Sequence, residues 1–466
     1  MTSTLTPVSS SATTGSGSRA TGPGRALGAA LLGFFVITLD ALIVSVALPT
    51  IGDDLGGGMT GLQWVVDGYT LVLAALLLSA GSISDRIGAR QAFGAGLALF
   101  LVASAACGFA PTLPVLGVAR LVQGAGAAVM MPATLALIGE AYPDAARRTR
   151  AIAIWAVGGS VGSAAGPLLG GALSAISWRW IFFINLPVGA IALLMLTRVA
   201  RSPRRPLPFD WTGQISAVLA MGGLTYAVIE GGEHGFIEPL VLTALVVAVL
   251  SFMVFVAAQA RGSHPMLPLT FFTTRSVSLS LLAGFALNIG FYGLTFLLSL
   301  YFQQLRGLSA LDTGIAFLPM TLQTAVVAFL SARVVQRFGA KAVMTAGQWI
   351  MAAGLLILFA LPATAATWLV AVLMMPVAFG GALAVPAMTG LMLDSVPQQQ
   401  AGLAGGALNT FRQFGGALAV AVFGALLANQ AGFLHGLHLS LLIGVVLLTV
   451  TATATGLLLK PATART

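Results

Sequence analysis

The sequence predicts an all-α integral membrane protein of fourteen spans, and three observations carry that prediction. Charged residues make up 8% of 466 and hydrophobic residues 58%, with a mean hydropathy of +0.98. A chain so poor in polar groups cannot cover a water-facing globule. The apolar residues fall into fourteen runs, 27–49, 61–81, 91–110, 114–138, 150–174, 179–197, 211–230, 237–258, 276–301, 311–331, 342–361, 366–392, 402–428 and 438–459. Most run to about twenty residues, enough to cross roughly 30 Å of hydrocarbon as helices. Barrel strands would be about ten residues long and would alternate in polarity.

The third observation is where the cations fall. With the N-terminus in the cytoplasm, eighteen of the 22 Lys and Arg residues lie on the inner side. Only Arg179 and Arg306 lie outside, and Arg120 and Arg412 lie within spans. That bias orients the chain with both termini cytoplasmic, and it ascribes the net charge of +9 to a lipid surface rather than to nucleic acid. The Ser-, Thr- and Gly-rich residues 1–26 read as a disordered cytoplasmic tail. The first run is too long for a signal-peptide core. A single cysteine, Cys107, excludes an intramolecular disulfide framework.

The spans repeat. "GSISDRIGAR" at 81–90 aligns with "ARVVQRFGAK" at 332–341: Arg86 matches Arg337, Gly88 matches Gly339 and Arg90 matches Lys341. Each segment leaves one apolar run and opens the next, as in a duplicated transporter bundle. Between the copies lie a basic, proline-rich linker at 198–211, the seventh and eighth runs, and a second linker at 260–275. Setting those two runs aside leaves six plus six. The expected organisation is therefore a tail (1–26), a six-helix bundle (27–200), a linker with two extra spans (201–270), a second bundle (271–460) and a cytoplasmic tail (461–466).

Several of these stretches together resemble the major facilitator superfamily, specifically its fourteen-span drug:proton antiporters. "GSISDRIGAR" is similar to the signature turn G-x-x-x-D-R-x-G-x-x. "LDALIVSVALP" (Leu39–Pro49) resembles the family's first-helix motif, and "RLVQGAGAA" (Arg120–Ala128) its fourth-helix motif. "GGSVGSAAGPLLGG" (Gly158–Gly171) resembles the antiporter motif of the fifth helix, and "WRWIFFINLPVG" (Trp178–Gly189) a run associated with fourteen-span members. The second turn departs from the pattern, with Gln336 where the first has Asp85. The resemblance implies the major facilitator fold, with two six-helix bundles and two extra helices between them. It also implies proton-coupled export of drugs or antibiotics from a bacterial cell, with no cofactor besides the proton gradient.

The intramembrane charges are the candidate machinery. Asp40 lies thirteen residues into the first run, about 20 Å of helical rise. Arg120 and Asp67 sit at similar depth, so the three are expected to form one charged cluster beside a central cavity. There Asp40 and Asp67 either load and release a proton or make a static pair with Arg120 that orients helices. Arg412, with Asn409 and Gln413, gives the second half a polar patch, for substrate or for backbone carbonyls. Gly81, Asp85, Arg86, Gly88 and Arg90 read as a conformational latch, or as a solvated basic loop. Gly158, Gly162, Gly166 and Gly170 recur every fourth residue beside Pro167, giving a smooth face for close packing and, as access alternates, for a seal between the halves. Glu230, Glu233, His234 and Glu238 read as a solvated outer loop rather than a metal site. Asp312 with Ser309 reads as a helix cap.

Apolar walls with few fixed charges suit lipophilic or amphipathic compounds. No Gly-x-x-x-x-Gly-Lys-Ser/Thr appears that would cradle a nucleotide phosphate, and no His-Glu-x-x-His that would mark a metal-dependent hydrolase. The expected protein is a monomer in the bacterial cytoplasmic membrane that exchanges small molecules for protons. The competing readings are an ion-coupled carrier of one metabolite and a membrane scaffold without transport.

Overall fold

A computed structural model describes residues 22–204, 208–362, 364–397, 400–428 and 432–459. Fourteen helices in it are long and apolar enough to cross a membrane, and no strand occurs among the described residues. They are α1 (Pro23–Leu55), α2 (Met59–Ile87), α3 (Ala89–Gly108), α4 (Leu113–Ala141), α5 (Ala146–Ser174), α6 (Trp180–Thr197), α7 (Trp211–His234), α8 (Pro239–Arg261), α9 (Arg275–Leu305), α10 (Leu318–Phe338), α11 (Ala340–Phe359), α12 (Thr367–Asp394), α13 (Ala401–Ala428) and α14 (Phe433–Leu458). Helices satisfy every backbone group internally, which hydrocarbon demands.

The ends follow local rules. Pro23 and Pro239 open α1 and α8, where a missing N–H costs nothing. Asp144, Asp210 and Glu238 cap α5, α7 and α8 by accepting the N–H of Arg147, Gly213 and Val241 at 2.7–2.9 Å. Because Pro23 starts a helix, the N-terminal tail expected through residue 26 ends by Gly22. The rest of that tail, and the C-terminal tail 461–466, lie outside the described residues.

The segment read as a cytoplasmic loop at 81–90 is mostly helix. Asp85 and Arg86 belong to the last turn of α2, and the chain reverses at Gly88 alone, with φ +92°. Gly339 repeats this with φ +82° between α10 and α11. Only glycine tolerates that conformation cheaply. The two copies also share an anchor. Arg90 donates to the carbonyls of Leu196 and Thr197 at the end of α6, and Lys341 donates to the Leu459 carbonyl just beyond α14. Each half thus hooks its third helix to the end of its sixth.

Within the first half α1 packs on α5, and α4 packs on α2 and α3; within the second, α9 packs on α13, and α11 on α12 and α14. The halves meet along α2 and α13, α1 and α9, and α5 with the short helix Ala310–Ala316 and α10. Helix α7 packs on both α2 and α13 and pairs with α8. Only 11% of the most apolar stretch of α8 is buried, as for a helix that faces lipid.

One end of the bundle is basic, carrying Arg86, Arg90, Arg147, Arg201, Arg261, Arg275, Arg333 and Arg337. The halves are joined toward the opposite end. Gln63 donates to the carbonyls of Val420 and Ala421 at 3.1 and 2.7 Å. Ser299 and Gln303 donate to the carbonyls of Ser45 and Val46 at 2.6 and 2.9 Å. Toward the basic end the facing glycines lose their neighbours: a Cβ on Gly81, Gly390, Gly402 or Gly405 would meet nothing within 4 Å. The conformation is therefore closed at the far end and parted at the basic end.

Candidate functional site

Asp40 and Arg120 form a fully buried ion pair between α1 and α4. The α4 guanidinium also donates from Nε to the Val65 carbonyl at 2.9 Å and from Nη1 to Gln123 Oε1 at 2.7 Å. Its Cζ lies 4.4 Å from the ring centre of Tyr69, whose hydroxyl donates to the Ile37 carbonyl at 3.1 Å. The second carboxylate oxygen of Asp40 accepts from the side-chain amides of Gln123 and Asn185, both at 2.9 Å. Those amides also reach Ser104 Oγ at 3.2 and 3.0 Å, and Ser104 donates to the Phe182 carbonyl at 2.9 Å. The Cys107 thiol lies 3.6 Å from Gln123 Oε1. Four helices (α1, α3, α4 and α6) thus converge on one carboxylate. Taking one partner from a buried pair leaves an uncompensated charge and costs about 3–5 kcal/mol.

The three-charge cluster expected from depth is not what forms. Asp67 is fully buried, but neither of its carboxylate oxygens has a hydrogen-bond partner among the described residues. It lies one turn below Gln63 on the face of α2 that meets α13, not against Arg120. Depth along a helix gives height but not azimuth, so equal depth overstated the grouping.

In the second half Arg412 donates from Nε to Asn288 Oδ1 at 3.3 Å and from Nη1 to Asn409 Oδ1 at 3.4 Å. Asn288 in turn donates to Gln413 Oε1 at 3.4 Å. The patch is thus an arginine among three amides. Its bonds are long, and no acid pairs with it among the described residues.

The glycine stripe of α5 turns away from the interface between the halves. Gly158, Gly162, Gly166 and Gly170 lie against Leu31, Phe35, Leu42 and Ile43 of α1, leaving no room for a Cβ. The seal expected between the halves is instead a tight joint inside the first half, because a four-residue repeat stays on one helical face and that face meets α1. The helix continues through Pro167, whose carbonyl meets Gly314 of the second half, and Gly171 meets Ala310.

At the turn, Asp85 and Arg86 are exposed, and Asp85 makes no ion pair among the described residues. The Arg90 backbone N–H donates to Ser202 Oγ at 2.9 Å, and Ser202 donates to Glu140 at 2.5 Å. Gly88 has the unusual dihedral expected of it; Gly81 is ordinary helix with open space around it.

The remaining acids are placed near helix ends. Glu230 accepts from the Trp64 indole at 3.1 Å, and its carboxylate lies 3.4 Å from His234. Ser309 accepts from the Asp312 N–H at 3.1 Å and caps the short helix Ala310–Ala316.

Residue-by-residue reading missed Ser104, Gln123, Asn185 and Asn288, uncharged groups that hydropathy passes over. A buried amide in a span is nevertheless costly without partners, which is a usable signal. It also missed the clamp at Asp54, which accepts from the Trp178 indole at 2.8 Å and from Arg179 Nη1 at 2.6 Å.

Comparison with known proteins agrees with this architecture. The Major Facilitator Superfamily profile matches residues 30–420 and 281–464. A methylenomycin A resistance protein of Streptomyces coelicolor is 36% identical over 88% of this chain and 87% of its own length. The multidrug resistance protein Stp of Mycobacterium tuberculosis is 38% identical over 85% of this chain and 74% of its own. Among solved structures, a D-xylose–proton symporter aligns with a TM-score of 0.70 at 14% identity, covering 95% of this chain and 99% of its own. Its identity is low enough that it speaks to the fold alone. The chain belongs to the Major Facilitator Superfamily and is a multi-pass membrane transporter rather than an enzyme.

Proposed function

We propose that this chain exports lipophilic or amphipathic drugs or antibiotics across the bacterial cytoplasmic membrane in exchange for protons, acting as a monomer by alternating access. The observation that carries the direction is its 36–38% identity, over most of its length, to proteins named for methylenomycin A and multidrug resistance. The basic end is then cytoplasmic, and the conformation described is the one open to the cell interior.

Asp67 is the proposed proton carrier. A buried carboxylate with no hydrogen-bond partner among the described residues holds its charge only at a cost of several kcal/mol, and taking up a proton removes that cost. Asp40 already has three donors; in this reading it holds the first half together and keeps Arg120 in place. Arg412 and its amides face the cargo, where long, weak bonds leave donors to offer. The α2 end at Gly81, Asp85 and Arg86 serves as a latch in the opposite conformation, in which the parted ends come together. A shift of a few kcal/mol suffices for that.

The test is purified protein in vesicles with a fluorescent lipophilic dye. An imposed pH gradient should drive dye movement, and a protonophore should abolish it. Equal movement without any ion gradient would refute the coupling.

A further inference from the structure

We infer that cargo reaches the central cavity sideways from the inner leaflet, through the seam between α5 and α10, and that the matching seam between α2 and α13 is sealed against it. This rests on the proposed export of lipophilic compounds. A molecule with two similar halves has two such seams, and here they are built differently.

The α2–α13 seam is covered along its length. At the far end Glu230 of α7 accepts from Trp64 of α2, and Gly232 of α7 lies against Ala425 of α13 with no room for a Cβ. Farther in, Gln214 of α7 donates to the Ala75 carbonyl of α2 at 3.0 Å. At the basic end the linker after α8 closes the gap. Ser79 of α2 lies 3.4 Å from the Met266 sulfur, Phe272 packs 6.3 Å from Phe411 of α13, and Leu267 is buried. The strap is itself pinned, because Gln259 of α8 donates to Asp210 at 2.8 Å and accepts from the Leu267 N–H at 2.8 Å.

The α5–α10 seam has no such cover. Apart from the short helix Ala310–Ala316 at the far end, no other helix packs along both. The stripe of α5 that meets the second half runs Gly171, Leu168, Ala164, Val161, Val157, Ile154, in steps of three and four that keep one face. Gly171 is buried against Ala310 and Leu168 is half-buried. Then Val161, Val157 and Ile154 are 47%, 52% and 48% exposed. The helix α10, which packs on α5, exposes Leu322, Val326 and Phe329. The uncovered seam is therefore apolar on both of its helices toward the inner leaflet, where an amphipathic molecule already partitions and where the solvation change on moving inward is small.

The experiment uses the full chain in inverted vesicles with a photoactivatable lipophilic dye. Labelling needs no gradient, so it reads the route independently of coupling. Labelled peptides should come from 154–161 and α10, and unlabelled dye should suppress them. The variant Val157→Trp should lower the initial export rate about fivefold by overfilling the opening, whereas Val246→Trp on the lipid-facing α8 should leave it unchanged. Labelling confined to α2, α7 and the linker at 262–274, or wild-type export by Val157→Trp, would overturn the inference. Labelling of 154–161 without gradient-driven export would sink proton coupling and leave the route standing.

Discussion

The two halves each place one arginine inside the membrane, and the two sites differ in completeness. Arg120 sits in the fuller network: Asp40 accepts from Arg120, Gln123 and Asn185, and the bonds made by the Asp40 carboxylate and the Arg120 guanidinium are 2.9 Å or shorter, with Arg120 Nη2 alone left without a partner among the described residues. Among the described residues Arg412 donates to amide oxygens at 3.3 and 3.4 Å, one of them on Asn288 of α9, the helix that opens its half as α1 opens the first. An acid in one half is answered by an amide in the other. A carboxylate already holding three donors gains little from a ligand, whereas an arginine held only by long bonds gains more. The comparison therefore separates an anchor from a receiving surface.

Breaking the anchor should have the largest effect. Arg120→Ala strands the Asp40 charge, and we expect a loss of about 3–5 kcal/mol, enough to deplete folded protein. Thermal unfolding in detergent and yield from membranes measure it. Arg120→Lys should rescue little, because one ammonium cannot serve Val65, Asp40 and Gln123 with a fork's geometry. Next comes Asp67→Asn. Gradient-driven dye export should fall by at least about tenfold, while gradient-independent dye exchange and unfolding temperature stay near wild type. An equal fall in exchange would return Asp67 to a structural role.

Sharpening the other side of the comparison, Arg412→Gln should weaken dye binding about tenfold, or about 1.4 kcal/mol, with unfolding unchanged; fluorescence titration reads this directly. Asn185→Ala removes one of three donors to Asp40 and should cost about 1 kcal/mol of stability. The smallest effect belongs to Asp85→Asn. The side chain is exposed and makes no ion pair among the described residues, so unfolding should move by less than about 0.5 kcal/mol. Paired spin labels at the basic ends of the two halves should instead show a larger share of the parted conformation.

How much of this the sequence discloses depends on dimension. Hydropathy and charge bias are one-dimensional signals, and the fourteen spans follow from them because hydrocarbon leaves the backbone few options. Height within the membrane is also linear, and it brings Asp40 and Arg120 together correctly. Azimuth is not linear. Asp67 shares their height yet faces α13, and the glycine stripe of α5 faces α1 rather than the second half. Amides such as Gln123 and Asn185 hide because their significance lies in partners from α1 and α3, far off in the chain.

The paired hooks, Gly88 with Arg90 and Gly339 with Lys341, have a practical corollary. Each ties a half to itself, and the second does so without the acid that accompanies the first. Chimaeras that exchange one lobe between relatives can therefore be spliced within the connecting segments and still inherit a complete set of internal fastenings on both sides.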